Sequence, residues 1–336
     1  MNSTQEVTAK ADNPDRGLGR LDWSFVLLAL YLACIYALQP AFFSPNNLSA
    51  LIYYTCLLMP AVLGVHVLIV LGLFDLSVGA VAAMSGVVAA KVMTAGVAIP
   101  VGLAVGISTG VIFGVLNWLF VVKLRISALI ATFITLGVAR AVSLGFTKGQ
   151  SIGGLPNGFG YLALGSARWS IPPAVYLGIG LVCVVEFLTH RHVLFRRLYH
   201  VGSNPAAAAS SGISVNAIKL FGFALCGAGA AFAGLLQCSR TLSASPFLFP
   251  DLALESIAAC VIGGASLSGG TGRAAGAFFG MLMVVISRNL VVMAGVSVYW
   301  RELGVAVILF AAVLLKRGEG RVGDRGYQQS KRGRWL

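Results

Sequence analysis

The sequence predicts an all-α polytopic membrane protein of about ten transmembrane helices arranged as an inverted repeat. Three observations carry that prediction. Of 336 residues, 58% are hydrophobic and 10% charged, whereas a soluble domain carries about 25% charge. The apolar residues fall into runs of roughly twenty, the length that crosses a hydrocarbon core. One chemical order also recurs in two halves of the chain: an acid, a short Gly/Ala-rich helix, then glycines four apart.

Residues 1–22 are polar and mixed in charge, without the form of a cleavable signal, and read as a cytoplasmic N-terminal segment. The first apolar run begins near Trp23. The spans are cut at 23–42, 50–72, 77–94, 97–122, 126–146, 171–189, 217–240, 252–268, 272–294 and 299–316. The third and eighth are short and rich in glycine and alanine, so either can be broken or re-entrant where protein surrounds the backbone. Residues 317–336 form a basic tail suited to an anionic leaflet. Lysine and arginine gather at Lys10, Arg16, Arg20, Lys123, Arg125, Arg191, Arg196, Arg197, Arg273 and the tail, against Lys148 and Arg168 in the opposite loops. That asymmetry puts both termini in the cytoplasm. The net charge of +13 is thus topological and gives no reason to expect a nucleic-acid partner. The six cysteines (34, 56, 183, 226, 238, 260) lack metal or disulfide spacing and read as small core residues.

The repeat sets Asp75, a short helix and Gly102, Gly106, Gly110 and Gly114 beside Glu255, Gly263-Gly264 and Gly272, Gly276 and Gly280. Glycines at this spacing lie on one helix face and let backbones approach. With halves at spans two to five and seven to ten, the sixth span inverts one against the other, which places a solute route at their interface. Composition alone can also make Gly-rich helices look alike.

Asp75 stands in Gly72-Leu73-Phe74-Asp75-Leu76-Ser77-Val78-Gly79, between two apolar runs. A carboxylate at that depth costs about 2.5 kcal/mol or more and usually marks a solute or ion path. It can instead cap the next helix. Both readings stand at this stage. Candidate pathway groups are Asp75, Ser77, Asn117, Thr135, Arg140, Glu255 and Ser256.

Between the sixth and seventh spans, Asn204-Pro205 reads as an N-cap with proline in the first turn, Ala206 to Ala209 as a short helix, and Gly212 as its stop. So short a helix is unstable alone, and its small side chains suit close docking to the membrane domain or to a partner. No phosphate-binding loop with its lysine occurs, and the glycine cluster Gly263 to Gly272 lacks one. The four histidines have no metalloprotease spacing, and no nucleophile elbow is present. The reading is a non-enzyme, with no catalytic residue, metal or cofactor of its own.

In order and spacing, Asp75-Leu-Ser-Val-Gly79, Thr135-Leu136-Gly137 with Arg140, Gly149-Gln150-Ser151-Ile152, Val201-Gly202-Ser203-Asn204-Pro205 to Gly212-Ile213, and Ile257 to Gly270 resemble the permease subunits of ribose-type ABC importers. The likeness covers about residues 45–315. It implies a bacterial inner-membrane permease domain over 23–316, working with a second permease chain (identical or paralogous), an ABC ATPase subunit that uses the ATP, and a periplasmic binding protein that delivers a monosaccharide or small polyol. The coupling helix, about 202–213, maps onto Gly202, Ser203, Asn204, Pro205, Ala207, Ala208 and Gly212. Leu73, Phe74 and Ala206 depart from the family's usual residues. An ion-coupled secondary transporter also shows inverted repeats and membrane acids, but gives the exposed helix no purpose. A passive channel calls for a more regular ring of pore charges.

Overall fold

The computed structural model describes residues 40–165 and 171–295, with residues 300 and 303. Most of the first and tenth spans, the whole N-terminal segment and the tail therefore lie outside the described residues. Within them the chain is helical: α1 (Pro45–Val70), α2 (Val78–Thr94), α3 (Ile99–Trp118), α4 (Ala128–Thr147), α5 (Pro173–Arg191), α6 (Val193–Ser203), α7 (Pro205–Ser210), α8 (Val215–Thr241), α9 (Leu252–Ile262) and α10 (Ala274–Met293). A π-helical turn, Leu119–Lys123, prolongs α3. Six helices are long and apolar enough to cross a membrane: α1, α3 with its π turn, α4, α5, α8 and α10. The third and eighth spans are the shorter apolar helices α2 and α9.

α1 is the centre of the bundle. Every residue from Thr55 to Val70 is buried, as befits a helix apolar on all sides. α5, α8, α9 and α10 surround it, while α2 packs against α3, α4 and α8. α5 is peripheral, with only Ala174 and Gly178 buried. Gly178 lets α5 cross α1 at Cys56, where an added Cβ would stand 2.6 Å from the Cys56 carbonyl oxygen.

The four-residue glycine spacing predicts close backbone approach, and both stripes make one. Gly110 and Gly114 press against the backbone of Gly227 and Phe223, joining α3 to α8, while Gly102 and Gly106 face Met93, Ala89 and Leu235. In the second stripe Gly276 and Gly280 meet Gly263 and Ala259, joining α10 to α9. Cys56, Cys226, Cys238 and Cys260 are core residues as expected, but Cys183 is exposed on the outer face of α5.

Candidate functional site

α1 ends at Val70, with Leu71 as its C-cap, and the chain runs irregularly to Ser77 before α2 begins. Asp75 sits in this break, 2% exposed. Its Oδ1 accepts hydrogen bonds from the Ser77 amide (2.7 Å) and hydroxyl (2.5 Å). Its Oδ2 accepts from Asn117 Nδ2 at 3.1 Å, an amide that also donates to Ser77 Oγ. The Thr135 hydroxyl donates to Asn117 Oδ1 at 2.6 Å, and one turn earlier Thr132 Oγ1 accepts from the Leu76 amide. Asp75 therefore does more than prepare the helix start. One oxygen makes a cap-like local bond, and the other ties the α1–α2 break to α3, whose Asn117 carries the tie on to α4.

Four sequence candidates, Asp75, Ser77, Asn117 and Thr135, thus form one buried chain of hydrogen bonds. Arg140, Glu255 and Ser256 lie apart from it. Arg140 falls on another face of α4, its Nε buried with no partner among the described residues, as is the hydroxyl of Ser256. Glu255 pairs with Arg288 of α10, which also approaches Asp251 at 3.8 Å. Arg288 escaped the sequence reading. The signal was there, since a guanidinium inside the apolar run 274–293 requires an internal partner.

The segment around Asp75 spans both ends of α9, since Gly79 faces the Phe249 carbonyl and Leu252 at the start of that helix. The break before Asp75 lies against the turn after α9: a Cβ on Gly72 would be 3.4 Å from the Ser268 carbonyl oxygen. Glu255 lies in the first turn of α9, at its other end.

The short connecting helix is α7. Asn204 caps it by accepting from the Ala207 amide at 3.0 Å, Pro205 occupies its first turn, and Gly212 (φ +78°) turns the chain so that the Ile213 amide reaches the Ala208 carbonyl. Ala206, Ala207 and Ala209 are exposed, whereas Ala208 is buried. Gly202 and Ser203 belong instead to a preceding amphipathic helix, α6, which buries Phe195, Leu198, Val201 and Gly202. The segment taken as one helix from 202 to 213 is thus the end of α6, a bend at Asn204, and α7.

α6 rests directly on the core. Gly202 has no Cβ because the Val70 carbonyl occupies that space. The same carbonyl accepts from the Gly270 amide at 2.8 Å, a turn that needs φ +77° at Gly270. The Tyr199 hydroxyl donates to the Gly272 carbonyl at 3.0 Å, and burial with the nearby Glu186 carboxylate pushes this phenol up to about 12, so the proton stays in place. The glycine cluster is therefore a clamp that gathers the ends of α1, α6 and α9. It cradles backbone, with the Val70 carbonyl at its centre.

A helical membrane bundle with no cluster of metal-ligating side chains among its described residues, a polar lock at a helix break and a capped helix displayed at one end has the form of a transport subunit. The chain belongs to the family described as the permease component of branched-chain amino acid transport systems, whose model matches residues 47–314. It is 33% identical over 297 residues to the ribose import permease protein RbsC of Escherichia coli K12, covering 87% of this chain and 92% of that protein. The RbsC of Bacillus subtilis is 34% identical over 295 residues, covering 87% and 91%. The autoinducer 2 import system permease protein LsrC of Enterobacter sp. strain 638 is 30% identical over 292 residues, covering 87% and 85%. No solved structure matches. The resemblance read from the motifs is borne out: the chain is an ABC importer permease and a multi-pass membrane protein.

Proposed function

We propose that this chain forms the translocation pathway of an ATP-driven importer for a monosaccharide or related small polyol in the bacterial inner membrane, with both termini cytoplasmic. It receives solute from a periplasmic binding protein and is driven by a separate ABC ATPase. The relatives named for ribose import support the sugar class. One observation carries the mechanism: the displayed helix α7 is joined, through α6 and the Gly202–Val70 backbone contact, to the helix break that holds Asp75.

In this reading the exposed alanines of α7 seat in a groove of the ATPase. ATP-driven closure displaces α7 and α6, and Gly202 transmits the movement to the end of α1 because no flexible side chain intervenes. The Asp75, Ser77, Asn117 and Thr135 lock then carries it into α3 and α4. These four groups organise the pathway from inside one chain. Arg140 and Ser256 are the proposed lining groups, and α4 turns Leu129, Ile130, Phe133, Ile134 and Val138 outward toward a second permease chain or lipid. The inverted repeat supplies the two alternating arrangements.

The test is reconstitution in vesicles with and without the ATPase and binding protein. ATP-dependent uptake of labelled sugar should require all three components. Uptake by this chain alone, driven by a proton or sodium gradient, would establish the ion-coupled alternative instead.

A further inference from the structure

A cavity of about 250 Å³ opens on the flank of the bundle, between the end of α5, the outer face of α6 and the start of α10. Arg196, Arg273, His190, His200, Tyr199 and Glu186 line it. The one carboxylate is already engaged: Glu186 Oε1 meets Arg273 Nε at 3.2 Å, and Oε2 accepts from the Ala275 amide at 3.2 Å. Glu186 thereby fixes Arg273 at the rim, and two arginines against one acid leave the cavity positive even with both imidazoles neutral.

Its depth is set by α5. From Pro173 to Val185 that helix carries no charged residue, and Tyr176, Ile179, Val184 and Phe187 are exposed on its outer side. The apolar band then gives way to Thr189, His190 and Arg191. The cavity walls begin at Glu186 and continue through Thr189 and His190, so it opens where hydrocarbon meets headgroups. Basic pockets between helices at that level hold phosphate-bearing headgroups.

We infer that this cavity binds the phosphate diester of a membrane phospholipid, with preference for an anionic headgroup, in the leaflet at the α6–α7 end. Arg196 supplies the principal contact and Glu186 positions Arg273 beside it. Arg197, next to Arg196 on α6 but outside the lining, takes no part.

The test is native mass spectrometry of the full-length purified chain, titrated with phosphatidylglycerol or phosphatidylcholine. Wild type and Arg197→Gln should retain phosphatidylglycerol in preference to phosphatidylcholine, and Arg196→Gln should bind it about fivefold more weakly. Thr189→Glu, which adds a negative charge to the cavity without touching Arg196, should weaken it likewise. Equal losses in Arg196→Gln and Arg197→Gln would overturn the inference in favour of a diffuse surface field. Equal retention of the two lipids would overturn the anionic preference. Displacement of bound phosphatidylglycerol by millimolar inorganic phosphate would reassign the cavity to a soluble phosphate.

Discussion

Exchanging Asp75 and Asn117 distinguishes a helix cap from a lock between helices. In Asp75→Asn the amide keeps an oxygen for Ser77, but it sets an NH₂ group against Asn117 Nδ2, which already donates there at 3.1 Å. Asn117 cannot turn its amide round without losing the Thr135 hydroxyl, 2.6 Å from its oxygen. One hydrogen bond to a buried charge is lost, about 1.5–3 kcal/mol. Asn117→Asp is worse, because it puts a second carboxylate beside the first in a buried site, and an uncompensated buried charge costs about 3 kcal/mol or more. The double exchange restores most of the pattern: the charge moves one side chain over, the donor between the two residues and the acceptors for the Ser77 amide and the Thr135 hydroxyl remain, and only the bond from residue 117 to Ser77 Oγ is lost. It should be more stable than Asn117→Asp by about 2 kcal/mol. Unfolding of the detergent-solubilised chain measures this, with ATP-driven uptake followed in parallel. A silent Asp75→Asn together with no rescue by the exchange would refute the lock and return Asp75 to capping α2.

Gly110→Ala and Gly227→Ala should each destabilise the chain by about 1–3 kcal/mol, whereas Gly137→Ala, whose Cβ meets nothing within 4 Å, should be neutral or slightly stabilising; thermal unfolding compares them. Glu255→Gln and Arg288→Met should each cost about 3–5 kcal/mol, and replacing both by well-packed apolar residues should recover most of that loss; a double variant as unstable as the worse single one would count against the pair. Ala207→Arg should leave the chain inserted and folded yet abolish copurification of the ATPase, because Ala207 is exposed. Ala208→Arg should also unseat α7, because Ala208 is buried against the chain itself, and protease sensitivity of the 204–212 segment reports the difference.

Much of this was legible in the chain because local chemistry decides it. Asn204, Pro205 and Gly212 mark the ends of α7 by capping rules that need no tertiary context. The glycine spacing foretold close seams by the same local logic, though which helices meet there required the fold. Partner identity was hidden where sequence separation is large. Nothing near Asp75 announces Asn117, 42 residues away, or that both would be buried instead of facing a pore. α6 was passed over because Arg196 and Arg197 were read only as topological charge between two spans, although Phe195, Leu198 and Val201 sit at helical spacing.

The seam between α3 and α8 also sets an order of events during synthesis. α3 is complete at Trp118, but Phe223 and Gly227, which receive it, lie in Val215–Thr241, so roughly a hundred residues separate the two faces of one joint. At about 5–20 residues per second the first face waits on the order of 5–20 s for the second. Met93 and Ala89 of α2 shelter Gly102 and Gly106 at once, while Gly110 and Gly114 stay bare. During that interval the nascent chain displays a small-residue stripe able to pair with any passing helix, and a ribosomal pause anywhere between α4 and α8 prolongs the exposure.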